Sequence, residues 1–124
     1  IQMIKVWEDG GESLEKVFDI VGGATDASVD LDTCLPTGSG YSNLCTVWQD
    51  PEFEETENAA YYARVLENDS CRYSKRQCNV ELQKQALTCD DIAPDHELYG
   101  CCDGKVPDTI QERAWSSPIW YSTP

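Results

Sequence analysis

Seven cysteines constrain this chain more than any other feature of its sequence. They stand at Cys34, Cys45, Cys71, Cys78, Cys89, Cys101 and Cys102 in 124 residues. Thiols at this density are held by metal or by one another. Zinc sites pair Cys or His at short, regular spacings. Here the closest cysteines are the adjacent Cys101 and Cys102 and the pair Cys71 and Cys78, separated by RYSKRQ, and His96 is the single histidine. The spacing therefore favours disulfides and an oxidising compartment: extracellular, cell-surface or periplasmic. An odd count means that three bridges leave one thiol over, free or joined to another chain. On the order of a hundred pairings satisfy that condition. We expect Cys34 to pair with Cys45 and Cys71 with Cys78, because each pair brackets a short polar stretch. Among Cys89, Cys101 and Cys102 one bridge is expected to form and one thiol to remain, because adjacent Cys101 and Cys102 of an extended chain point different ways and only one easily reaches Cys89.

A length of 124 residues fits one domain with a modest core. No apolar run reaches the roughly 18 residues of a membrane span. The opening IQMIKVWEDG has no basic region or apolar signal core and no initiator methionine. Ile1 reads as a processed end or the first residue of a piece of something longer. Net charge is −14. Such a surface repels phosphate backbones and anionic lipid, which sets nucleic acid and membrane surfaces aside as partners.

Strand patterns dominate the pass along the chain. Residues 1–8, IQMIKVWE, place Ile1, Met3 and Trp7 on one face and Ile4 and Val6 on the other. Asp9-Gly10-Gly11 reads as a hairpin turn, with residues 14–21 returning as a second strand. Residues 28–35 form an expected third strand and residues 45–48 a fourth. DPEFEETEN, residues 50–58, is an acidic loop. Residues 59–67 are ambiguous between helix and strand by pattern. Residues 68–107 hold five of the seven cysteines and read as a bridged excursion, with a short helix over 80–87. Residues 109–121 read as the last strand, with Pro118 at an edge or bulge.

Several stretches carry a family resemblance: IQMIKVWEDGGESLEKVFDI (1–20), Cys34-Leu-Pro, LCTVWQDPEF (44–53), AAYYARVLEN (59–68), NDSCRYSKRQC (68–78) and TIQERAWSSPIWY (109–121). In this order they resemble the C-terminal region of the domain of unknown function 3604 family, secreted bacterial proteins grouped with PHP-type metallohydrolases. The resemblance covers essentially the whole chain. It implies a strand over residues 60–66, paired with the 109–121 segment, and makes residues 68–107 an insertion between paired strands. It implies that metal ligands and hydrolase chemistry reside upstream. Nothing in this chain matches those ligands, so no catalytic residue is carried over.

Few residues invite a chemical reading. His96, between Asp95 and Glu97, lacks the companions of a metal site and reads as an exposed loop histidine. Ser116 and Ser117 lack the Gly-x-Ser-x-Gly frame of a hydrolase nucleophile and read as hydroxyls bonding backbone near a bulge. Asp26, Asp30 and Asp32, and separately Asp50, Glu52, Glu54, Glu55 and Glu57, supply the oxygens that calcium takes, without the EF-hand order. A solvated acidic face is the plainer reading of both. Asn68-Asp69-Ser70 is a formal N-glycosylation sequon. Trp7, Trp48, Trp115 and Trp120, with Tyr61, Tyr62 and Tyr121, form either a carbohydrate platform or core aromatics, and core is the commoner use.

Together these readings predict an all-β, immunoglobulin-like sandwich with a disulfide-stapled insertion and no cofactor. The expected role is a non-catalytic extracellular structural or assembly module, packing against its own kind or an adjacent domain. Donation of the first strand to a neighbour, building filaments, competes with an ordinary hairpin over residues 1–21. The alternative role is the C-terminal accessory domain of a secreted PHP-like hydrolase whose catalytic part lies outside this chain.

Overall fold

A computed structural model describes residues 1–123. In chain order its elements are β1 (Gln2–Asp9), β2 (Glu12–Asp19), β3 (Ser28–Val29), β4 (Pro36–Thr37), β5 (Ala59–Leu66), β6 (Ser70–Cys71), α1 (Tyr73–Gln85), β7 (Thr109–Ile110), β8 (Arg113–Trp115) and β9 (Ile119–Tyr121). Short 3-10 turns cover Cys89–Asp91 and Tyr99–Cys101. The protein is mostly β, with antiparallel pairing throughout. Among the described residues no helix is long and apolar enough to cross a membrane. The residues group into two compact units, both discontinuous in sequence.

The first unit comprises residues 1–24, 41–67 and 113–123. Gly10 and Gly11, at φ +60° and +89°, supply the two left-handed positions of a tight hairpin turn between β1 and β2. β1 then pairs with β5 on its other side, so the first strand lies inside the sheet. The far side of β5 is shared: β8 pairs with Arg64–Leu66 and β9 with Ala59–Tyr61. Between these pairings β5 has Tyr62 and Ala63, whereas the opposing strand has Ser116, Ser117 and Pro118. That extra residue is a β-bulge. Ser116 holds it by donating its amide to the Ala63 carbonyl (3.0 Å) and accepting the Ala63 amide on its hydroxyl (3.0 Å). The segment expected as one strand over 109–121 is thus three pieces. The bulge accounts for one break, and Thr109–Ile110 pairs with β6 instead.

Residues 41–58 carry no regular structure, and the strand expected at 45–48 does not form. Trp48 stacks against Phe18 (5.2 Å between ring centroids) and Tyr61 (6.2 Å), while Val47 is 99% exposed. The segment behaves as a cover over one sheet face.

The second unit comprises residues 25–40 and 68–112. The strand expected over 28–35 stops at Val29 because Asp30 reverses the chain. Its carboxylate accepts the amides of Asp32 (3.1 Å) and Thr33 (2.7 Å), a side-chain mimic of a backbone turn. The helix expected at 80–87 begins seven residues earlier, at Tyr73. It ends in a Schellman arrangement, with Ala86 left-handed at φ 54° and the Leu87 amide reaching the Leu82 carbonyl. Buried apolar side chains are few here: Cys34, Cys71, Leu82 and Ile92. A core this small needs covalent help.

That help comes from Cys34–Cys71, Cys78–Cys101 and Cys89–Cys102, with Cys45 free and exposed. The expected Cys34–Cys45 and Cys71–Cys78 bridges are therefore corrected, and Cys45 leaves the disulfide set. Two causes are visible. Cys71 lies in β6 and Cys78 sits on α1, which sends them to different partners. Asp30 turns Cys34 inward, where it is buried and reaches Cys71 at a Cα separation of 5.6 Å. Adjacent Cys101 and Cys102 do point to different partners, but both are bridged, so the spare thiol expected among Cys89, Cys101 and Cys102 is corrected to Cys45. Non-reducing peptide mapping is expected to recover these three links, with Cys45 as the one alkylated thiol. Replacing Cys78 and Cys101 together is expected to cost about 2–5 kcal/mol of stability in chemical denaturation.

Candidate binding surface

Alternation along the strands gives the sheet two chemically different faces. Met3, Lys5 and Trp7 project to one side with Phe18, Lys16, Tyr61 and Tyr121. Ile4 and Val6 project to the other with Val17, Ala60, Tyr62, Trp115 and Trp120.

On the first face a lysine occupies the middle of an apolar strand. Lys5 is 3% exposed. Its Nζ meets Glu57 Oε2 at 2.7 Å, the Glu52 carbonyl at 2.9 Å and Asp50 Oδ2 at 3.2 Å. Three ammonium protons thus face three oxygens, which satisfies the donor completely. Tyr61 donates its hydroxyl to Asp50 Oδ2 (2.7 Å), and the Glu52 amide donates to Asp50 Oδ1 (2.9 Å). Lys16 adds an exposed ion pair to Glu52. Burial pulls the Lys5 pKa down, but the contacts to Glu57 and Asp50 outweigh it and the net shift is upward from 10.5. For Asp50, burial pushes up and is outweighed by Tyr61, the Glu52 amide and Lys5, so its carboxyl stays below 3.8. Burial, then the bond to Asp50, pushes the Tyr61 phenol from 10.0 up to about 12. A lysine held charged and fully bonded is a clamp, not a nucleophile. Its clamp joins residues 50–57 to the sheet.

The other residues singled out in sequence are scattered. Asp26 Oδ1 accepts the Ser39 amide, and Asp30 serves its own turn, so Asp26, Asp30 and Asp32 do not converge. Of the second acidic group, Asp50 and Glu57 hold Lys5, Glu52 holds Lys16, and Glu54 and Glu55 are exposed. Among the described residues no three His, Cys, Asp or Glu side chains gather as a metal site. His96 is half-buried and accepts the Leu98 amide on Nδ1 (3.1 Å). Ser116 bonds backbone at the bulge, and Ser117 offers its carbonyl to the Ser116 hydroxyl. Asn68 is exposed, and its side-chain amide lies against Gly40. The aromatic set divides. Trp48 and Tyr61 pack inside the Lys5 face, whereas Trp115 and Trp120 are 59% and 76% exposed. Sequence reasoning missed Lys5, although a lone lysine inside IQMIKVW was its signal.

On the second face Trp115 stands across from Arg64 and Trp120 across from Ala60, with Tyr62 between them on β5. They border an open groove of about 660 Å³ whose floor is Val6, Ala60 and Tyr62 and whose wall includes Pro118. Glu8, Ser13, Asn58 and Ser122 give it a polar rim. Tryptophans five residues apart fall on opposite faces of a regular strand. The bulge at residues 116–118 brings both to one.

The Lys5 network generates a stability prediction. Lys5→Ala leaves two carboxylates without their cation and is expected to cost about 3–5 kcal/mol. Replacing Lys5 by Met together with Glu57 by Leu and Asp50 by Asn, whose oxygen keeps the Glu52 amide and whose NH2 can donate to the Tyr61 hydroxyl, is expected to recover most of that loss, read by urea denaturation. Asp50 is depressed, so its share is present above about pH 4 and lost as pH falls further. Lys5 and Tyr61 are raised, so their shares are complete below their ordinary values and each is lost as pH climbs through the group's own raised pKa, about 12 for Tyr61. Stability is expected to be flat between about pH 5 and 9 and to decline on both sides.

No curated protein and no solved structure is significantly similar to this chain. Residues 1–123 match the family model described as Protein of unknown function (DUF3604), which is essentially the full length. On that match the chain belongs to the DUF3604 family.

Proposed function

We propose that this chain is a non-catalytic, extracellular structural module that joins a neighbour by strand addition at β2. One observation carries the reading. β2 is eight residues long, stands at the end of the sheet and pairs only with β1 among the described residues. The two-residue turn makes Asp9 and Glu12 a hydrogen-bonded pair. The amides of Ser13, Glu15, Val17 and Asp19 then point away from β1, free to bind another strand. The opposite edge is blunted by its bulge and Pro118. Donation of β1 to a neighbour is the costlier route, because β1 holds two ladders at once. The three disulfides point to an oxidising compartment, and the extracellular space is our assignment within that class. An immunoglobulin-like sandwich belongs to the same proposal: the sheet is one layer, and residues 41–58 occupy the place of the facing one.

A second reading is favoured by the charges on β2. Glu12, Glu15 and Asp19 repel another acidic copy and suit a strand from a less acidic domain. That fits a C-terminal accessory domain of a secreted PHP-like hydrolase, joined to its own neighbouring domain. Sedimentation velocity separates the two. Self-association is expected to rise with concentration and with salt, which screens the edge charges, and to vanish in Val17→Pro, which removes one outward amide and spares the β1 ladder. A chain that stays monomeric under all these conditions sinks self-assembly. The mass of the native species then decides the rest: near 13.9 kDa for the free module, several times larger for the accessory domain.

A further inference from the structure

We infer that the Trp115–Tyr62–Trp120 groove is a binding site for a neutral saccharide chain. The inference goes beyond strand addition and uses a different surface. The two indoles stand four β5 residues apart, about 13 Å, with Tyr62 at the midpoint. Rings in a row over an open groove suit an elongated ligand with flat apolar faces. A pyranose ring presents such a face: its C–H bonds are slightly positive, and the faces of indole and phenol rings are slightly negative. Both tryptophans are more than half exposed, an unusual state for the largest apolar side chain. Neither contributes to a covered core, and the bulge is what aligns them.

Charge narrows the ligand further. The chain carries −14 overall, yet the groove lining contains one residue charged at neutral pH, Glu8. A cation would find stronger sites elsewhere on this surface, and a nucleic acid stacking on the same rings would be repelled. The rim settles the choice between a sugar and a proline-rich peptide. Ser13 and Ser122 both donate and accept, Asn58 offers its side-chain NH2 while its oxygen holds the Thr123 amide, and Glu8 accepts with the oxygen that Gly11 leaves free. Sugar hydroxyls do both as well. A polyproline strand offers carbonyls and almost no donors, so it leaves the Glu8 carboxylate unmatched.

The test is isothermal titration of the full chain with cellohexaose, xylohexaose and chitohexaose, alongside decaproline. At least one of the three glycans is expected to bind with quenching of tryptophan fluorescence. Trp115→Ser and Trp120→Ser are each expected to weaken it about tenfold or more. Both side chains are exposed, so far-UV circular dichroism of the variants is expected to match the parent. Glu8→Gln, on β1 at the groove rim, gives a second variant and is expected to weaken binding with both indoles kept. Absence of binding to all three glycans overturns the inference. So does tryptophan-dependent binding of decaproline alone, which makes the groove a peptide site. A change of oligomeric state in the tryptophan variants without glycan binding also overturns it, and makes the face a protein interface. Val17→Pro blocks the β2 edge and is expected to leave glycan affinity unchanged, so failure of the edge reading and failure of this one are told apart.

Discussion

A charged amine in the middle of a strand organises the sheet. Lys5 has apolar residues before and after it, and its ammonium has no water to turn to. Asp50, Glu57 and the Glu52 carbonyl must therefore come to it, and with them comes a segment that has no ladder of its own. Trp48 and Phe53 ride in on the same segment and meet Phe18, Tyr61 and Tyr121. Buried ion clusters of this kind add little net stability over apolar packing of the same shape. Their effect here is on register. A slip of β1 by one residue sends Lys5 to the tryptophan face, away from both carboxylates, and puts Ile4 where the oxygens wait.

Both faces depend on the same alternation, and the bulge is the one place where it is broken. Without the residue inserted at 116–118, Trp115 and Trp120 could not share a side. Ser116 completes the irregularity by lending its hydroxyl to an amide that the ladder no longer serves. The serine pair that lacks the frame of a nucleophile is thus explained by backbone geometry, as its sequence context indicated.

Local signals in the sequence were legible and distant ones were not. Two glycines after Asp9 specify the first hairpin, and Pro118 marks the irregular edge. The strand at residues 59–66 follows from family resemblance where alanines and leucine alone favoured helix. The early start of α1 was hidden because Ser74, Lys75, Arg76 and Gln77 show no apolar stripe, and Leu82 is the one fully buried side chain of the helix. Disulfide partners were hidden for a related reason. Cys34 and Cys71 are 37 residues apart, and only the Asp30 turn and the β6 position explain their meeting. The tryptophan pair was expected in a core because strand aromatics are more often core than platform, and Trp115 and Trp120 stand exposed instead.

The interleaving of the two units has a consequence for how the chain is made. β1 and β2 can form as soon as they emerge, but β5 comes only after the second unit has begun, and β8 and β9 only after it has ended. The central sheet is therefore completed only by residues that follow the whole of the second unit. Until then β5 has one bare edge. Such long-range closure makes folding slow relative to chain length. It also means that Cys34 must wait, reduced or wrongly paired, until Cys71 arrives, so oxidation out of order is the hazard this topology creates, and thiol exchange is the chemistry that repairs it.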